Sequence, residues 1–89
     1  MATFKKKIWP EEFEAIKAGR KTFELRNRDF EVNEGDTLVL KEWDPKTEAY
    51  TEREAEKKVG YVFKFHPHEL PYYPKEEVER DGLQIISLL

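Results

Sequence analysis

The chain has 89 residues, no cysteine and a formal net charge of −3, and charged residues make up 39% of it. That length leaves room for one domain, residues 1–89, with a modest core, and the missing cysteines exclude a disulfide framework, a thiol nucleophile and a thiolate metal site. No apolar run approaches the roughly eighteen residues that a membrane span needs, so the sequence predicts a soluble cytoplasmic protein with no membrane partner. Phe4 to Ile8 (FKKKI) reads as a first strand. Pro10 follows where proline opens helices, with Glu11 and Glu12 at the positive helix end. Phe13 and Ile16 give that helix a narrow apolar face, and Gly19 stops it. From Thr22 to Arg26 the period changes to two, predicting a strand with Phe23 and Leu25 buried and Glu24 and Arg26 on its polar side. The tetrad NEGD (Asn33 to Asp36) marks a turn before a strand from Thr37 to Trp43. The segment WDPKT makes the next turn, with Pro45 fixing the backbone.

From about Ala55 to Phe65 the chain predicts a long strand or strand pair, with Gly60 as a bulge or bend. Val59, Tyr61, Phe63 and Phe65 share one parity, which predicts one buried face. The stretch HPHELPYYP reads as a loop, and a short helical turn after Pro74 ends at Gly82. The terminal LQIISLL is dense enough in Ile and Leu to be a central strand. Trp9 and Trp43 are expected to complete the core. The pattern therefore predicts a mainly β, α+β domain with one or two short helices and a small curled sheet or barrel.

Charge is unevenly spread. Residues 1–29 hold eight Lys/Arg against five Asp/Glu, whereas residues 30–60 hold five against nine. A local cationic patch on an acidic chain points to a confined anionic ligand rather than to long-range phosphate tracking. No metal is expected: His66 and His68 offer at most two ligands where a catalytic zinc needs three. No cofactor motif is present, and the chain is expected to act as a monomer.

Within the basic stretch, Gly19, Lys21, Glu24 and Arg26 form the pattern GxKxxExR. This resembles the signature of ASCH domains, relatives of the PUA-like RNA-binding barrels. The run KTFELRNRDFEVNEGDTLVLKEWDPKTEAYTER (Lys21 to Arg53) is also similar to a small prokaryotic and phage family of ASCH-like domains patterned KTFELR, RDF, GD, LxLxE and YTGR. Two departures stand out: the loop before Gly35 is longer, and Glu52 stands where YTGR has glycine. The resemblance implies a PUA-like β-barrel with the motif at the edge of a cleft beside the helix.

It also implies that the domain binds RNA or a modified nucleotide in a small cationic cleft. Lys21 and Arg26 would hold a phosphate or a base edge, with Glu24 orienting them. Arg28 and Arg53 are candidate further contacts, and Tyr50 a stacking platform for a base. Some branches of the superfamily are ribonucleases or amidohydrolases of acetylated cytidine. The alternative is therefore a metal-independent enzyme of one of these kinds, with Lys21 and Glu24 as acid–base residues. The amidohydrolases use a threonine at the position occupied here by Glu24.

Overall fold

The computed structural model describes residues 1–66 and 81–89. The expected loop from Pro67 and the helical turn after Pro74 lie outside these residues. Among the described residues five strands and one helix follow in chain order: β1 (Thr3–Ile8), α1 (Pro10–Lys17), β2 (Phe23–Asn27), β3 (Thr37–Asp44), β4 (Ala49–Phe65) and β5 (Leu83–Leu88). They form one sheet in the order β1-β3-β4-β5-β2. Among these strands β1 and β3 run parallel, joined by the excursion through α1 and β2, and the pairings of β2 with β5, β3 with β4 and β4 with β5 are antiparallel. The described residues are mainly β with one short helix, in keeping with the mainly β, α+β class with one or two short helices that the sequence predicts.

Strand β4 determines the shape. Its first half pairs with β3 and its second half with β5, and the register shifts between Val59 and Val62. Gly60 sits at that irregularity, where an added Cβ would come within 2.6 Å of Ser87 Oγ, so any larger residue would have to displace the Ser87 side chain. The bulge predicted at Gly60 is present, and it overturns the predicted parity. Val59 is buried, but beyond the bulge Val62 turns to the core while Tyr61 and Phe63 face outward. One extra residue exchanges the two faces of everything after it.

The sheet curls around a core of Ile8, Leu38, Leu40, Val59, Ile86 and Leu88, closed by Phe13 and Ile16 of α1 and by Val32. Pro10 opens α1, Glu11 and Glu12 occupy its first turn, and its last turn carries Lys17. The curl stops short of a barrel: the sheet's edges, β1 and β2, share no ladder. Arg26 Nη2 instead spans the gap by donating to the Lys7 carbonyl.

A second difference from the sequence reading lies in β2. Glu24 is buried and pairs across the ladder with Ile86, while Phe23 and Leu25 are both about half exposed. A period of two fixes that alternate residues share a face, but not which face turns inward. Here the inward face meets charged partners rather than the apolar core. Trp9, expected in the core, is also exposed.

The NEGD turn is held by Asp36. Its buried carboxylate accepts the backbone N–H of Ala2 at 3.0 Å and of Asn33 at 2.9 Å, fastening the chain start to the turn. Those two bonds hold its pKa below the ordinary aspartate value. A depressed folded pKa contributes stability that is complete above the unfolded value, about 3.9, and is lost as pH falls through the folded one. Melting temperature should therefore decline on acidification below about pH 4, and Asp36→Asn should lower it at neutral pH while flattening the decline. A variant with the wild-type acid profile would show that Asp36 does not carry this dependence.

Candidate functional site

The gap between the sheet edges is where the motif residues meet. Gly19 turns the chain out of α1 with φ of 78°, and the amides of Arg20 and Lys21 both donate to the Ala15 carbonyl. This points Lys21 back toward β2. Its Nζ donates to Glu24 Oε1 at 3.0 Å and lies 3.4 Å from Glu12 Oε2. Arg26 Nε donates to Glu24 Oε2 at 2.8 Å. Both oxygens of Glu24 are thus held by cations, and the carboxylate is only 4% exposed. Burying a carboxylate is costly unless it is paired or hydrogen-bonded in this way.

The three residues form one wall of a cleft of about 480 Å³, within the range of roughly 300–1,000 Å³ common for small-molecule sites. The opposite wall is the β1–α1 corner, with Lys7, Ile8 and Trp9, and Glu11 and Glu12 beside them. Trp9 is 58% exposed at this rim. Trp9 also borders a smaller hollow with Pro10, Glu11, Asp44, Pro45 and Lys46. The lining charges balance: Lys7, Lys21 and Arg26 against Glu11, Glu12 and Glu24. Charge counted along the chain does not show this, because it sums over residues that face different ways.

Arg28, Tyr50 and Arg53 do not line the cleft. Arg28 lies 3.6 Å from Glu31. That carboxylate also accepts from Lys64 at 3.1 Å, and the two cations, Lys64 above all, lower its pKa. Tyr50 is half exposed on β4, with Lys41 Nζ 5.0 Å from its ring centre. Arg53 belongs to a separate network. Its Nε and Nη2 donate to the buried Glu42 at 2.8 and 2.7 Å, and Nη2 also reaches Glu14 of α1 at 2.7 Å. Its guanidinium stands 4.8 Å from the Phe13 ring centre. Thr51 Oγ1 donates to the same Glu42 at 2.6 Å.

These bonds from Arg53 and Thr51 hold the Glu42 pKa below the glutamate value, and Glu42 and Glu14 raise that of Arg53. The LxLxE and YTxR segments are thereby two halves of one ion-pair network that ties β3, β4 and α1 together. At Glu52, between Thr51 and Arg53, φ is 73°, which is why glycine suits this position. Sequence reading assigned Trp9 to the core and gave Glu12 no role at the site. The signal for Trp9 was its place between a strand end and the helix-opening Pro10; Glu12 carried none. Among the described residues no group of three or more His, Asp or Glu side chains is arranged to hold a metal ion. No helix there is long and apolar enough to cross a membrane.

The fold and site define a small, mainly β domain with a carboxylate-clamped cleft between its sheet edges. Residues 3–72 match the family described as Domain of unknown function (DUF3850), and the chain belongs to that family. The fold is similar to that of a solved structure titled "Crystal structure of hypothetical protein PH0355", with a TM-score of 0.71 at 18% identity over 97% of this chain and 96% of that one. No curated protein matches the sequence.

Two stability experiments follow from the Glu42 network and its turn. Glu52→Gly should relieve the left-handed backbone and stabilise the protein by about 0.5–1 kcal/mol in denaturant unfolding, the strain outweighing glycine's extra unfolded-state entropy; a destabilised variant would contradict this. Arg53→Met should lower the melting temperature by stranding Glu42, whereas Thr51→Val, which leaves Arg53 in place, should lower it less. Equal losses would show that Arg53 is not the main partner of Glu42.

Proposed function

We propose that the chain is a PUA-like domain of the ASCH type that binds RNA or a modified nucleotide by accepting a base in the cleft at the GxKxxExR motif. The observation that carries this reading is the clamp itself. Glu24 fixes Lys21 and Arg26 so that their remaining N–H groups form a row of donors on one wall, while the Glu12 carboxylate, 3.4 Å from Lys21, offers acceptors from the helix side. Trp9 stands exposed on the other wall. A base needs that combination: a polar edge to match its own and an aromatic face to stack on. The balanced charge favours a neutral, flat group over a bare phosphate, so the phosphates of an RNA would lie outside the cleft.

The same geometry makes Glu24 an orienting residue. A general base must reach the proton it takes. Glu24 is buried with each oxygen already accepting a charge-assisted hydrogen bond, which suits it to orienting Lys21 and Arg26 rather than to meeting a ligand itself. Binding without turnover is the expected behaviour. Nucleosides, including acetylated cytidine, and short single-stranded RNA should quench tryptophan fluorescence, with little salt dependence for the nucleosides. Lys21→Ala and Arg26→Ala should each weaken binding by about tenfold or more, the cost of a charge-assisted hydrogen bond, and Trp9→Ala should remove most of the quenching. Wild-type affinity in both charge variants would refute the cleft as the binding site. Turnover of acetylated cytidine or RNA that vanishes in Glu24→Gln would make the protein an enzyme instead.

A further inference from the structure

The face of the sheet opposite the core carries an unusual surface. Across the second half of the sheet, Leu25, Ile85 and Phe63 are aligned on β2, β5 and β4. The next row is Asn27, Leu83 and Phe65, of which Leu83 is buried, and the row on the other side begins with Phe23 beside Ser87, whose Oγ accepts the Tyr61 N–H. None of these nine side chains is charged, in a chain where 39% of residues are. Phe23, Tyr61 and Phe63 are 48%, 64% and 51% exposed. Phe63 and Phe65 stack with ring centres 5.5 Å apart, which gives the block a flat top.

We propose that this face is where a second copy of the chain docks, so that two sheets pack back to back in a homodimer. The half-exposed aromatic residues, with Leu25 and Ile85, present apolar surface on the order of 500 Å², near the upper limit for the largest patch of a typical monomer, about 600 Å². Two such faces together bury roughly 1,000 Å², the lower bound for a specific interface. An uncharged block also meets its own copy across a two-fold axis without repulsion, whereas a partner recognised by charge would find nothing to pair with. Sheet-on-sheet packing at about 10 Å suits a flat apolar face of this kind.

The dimer does not depend on what the cleft binds, but it borders the cleft. Leu25 belongs both to the block and to the cleft lining, so the second copy would stand at the rim of the site.

Sedimentation equilibrium of the full chain from low to high micromolar concentration reads the proposal directly. The wild type should dimerise, and Phe63→Glu should raise the dissociation constant at least about thirtyfold, as expected for a hot-spot aromatic. Circular dichroism should show that this variant, altered at an exposed position, keeps its fold. Because the protein has no cysteine, Phe63→Cys supplies a single thiol. It should react with maleimide slowly in the dimer, and faster on dilution, while the exposed Glu54→Cys control reacts quickly throughout. A wild type that stays monomeric overturns the proposal, whether the Phe63→Cys thiol is then reactive or is covered by its own chain. A dimer that Phe63→Glu leaves intact overturns it as well.

Discussion

Two buried carboxylates organise this small domain. A carboxylate removed from water must be met by cations or by hydrogen-bond donors, and Glu42 and Glu24 are each met by cations. Glu42, 2% exposed, draws Arg53 and Thr51 of β4 toward β3, and through Arg53 it draws in Glu14 of the helix. Glu24, 4% exposed, draws Lys21 from the helix-to-strand turn and Arg26 from its own strand. The first network faces the interior junction of helix and sheet. The second faces a cleft, where Lys21 and Arg26 line the opening.

The position of the cleft follows from sheet topology. Because β4 is long and bends at Gly60, its two halves support separate groups of strands, and the edges β1 and β2 curl toward one another without pairing. Arg26 spans that opening to the Lys7 carbonyl, so the residue that holds Glu24 also fixes the width of the site. The helix contributes its first-turn carboxylates, Glu11 and Glu12, at the same opening. The outer face of the same strands is apolar, so β2 presents charge on one side and Phe23 and Leu25 on the other.

Much of this arrangement was legible in the sequence. The helix opened by Pro10, the NEGD turn, the bend at Gly60 and the strands all carry local signals that the structure keeps. The motif residues Lys21, Glu24 and Arg26 do converge at a cleft beside the helix. What was hidden is facing. Hydrophobic alternation put Phe23 and Leu25 inside on the assumption that the apolar side of a strand is the inner one, but ion pairing holds Glu24 inward instead. The bulge likewise exchanged the faces of Tyr61 and Phe63, which no parity count across Gly60 could follow. Arg53 resembled a ligand contact because its partner Glu42 lies eleven residues away and is buried only through tertiary packing.

If the Glu24 clamp is a binding wall and not merely an internal ion pair, a ligand must perturb it. Amide and side-chain NMR shifts recorded during titration with acetylated cytidine, and separately with a short single-stranded RNA, test it most directly. The expected result is saturable change at Lys21, Glu24, Arg26 and the Trp9 indole, with Arg53 and Thr51 unmoved. Saturable changes centred on Tyr50 and Arg53 with the clamp residues silent, or no change at any concentration of either ligand, would contradict it.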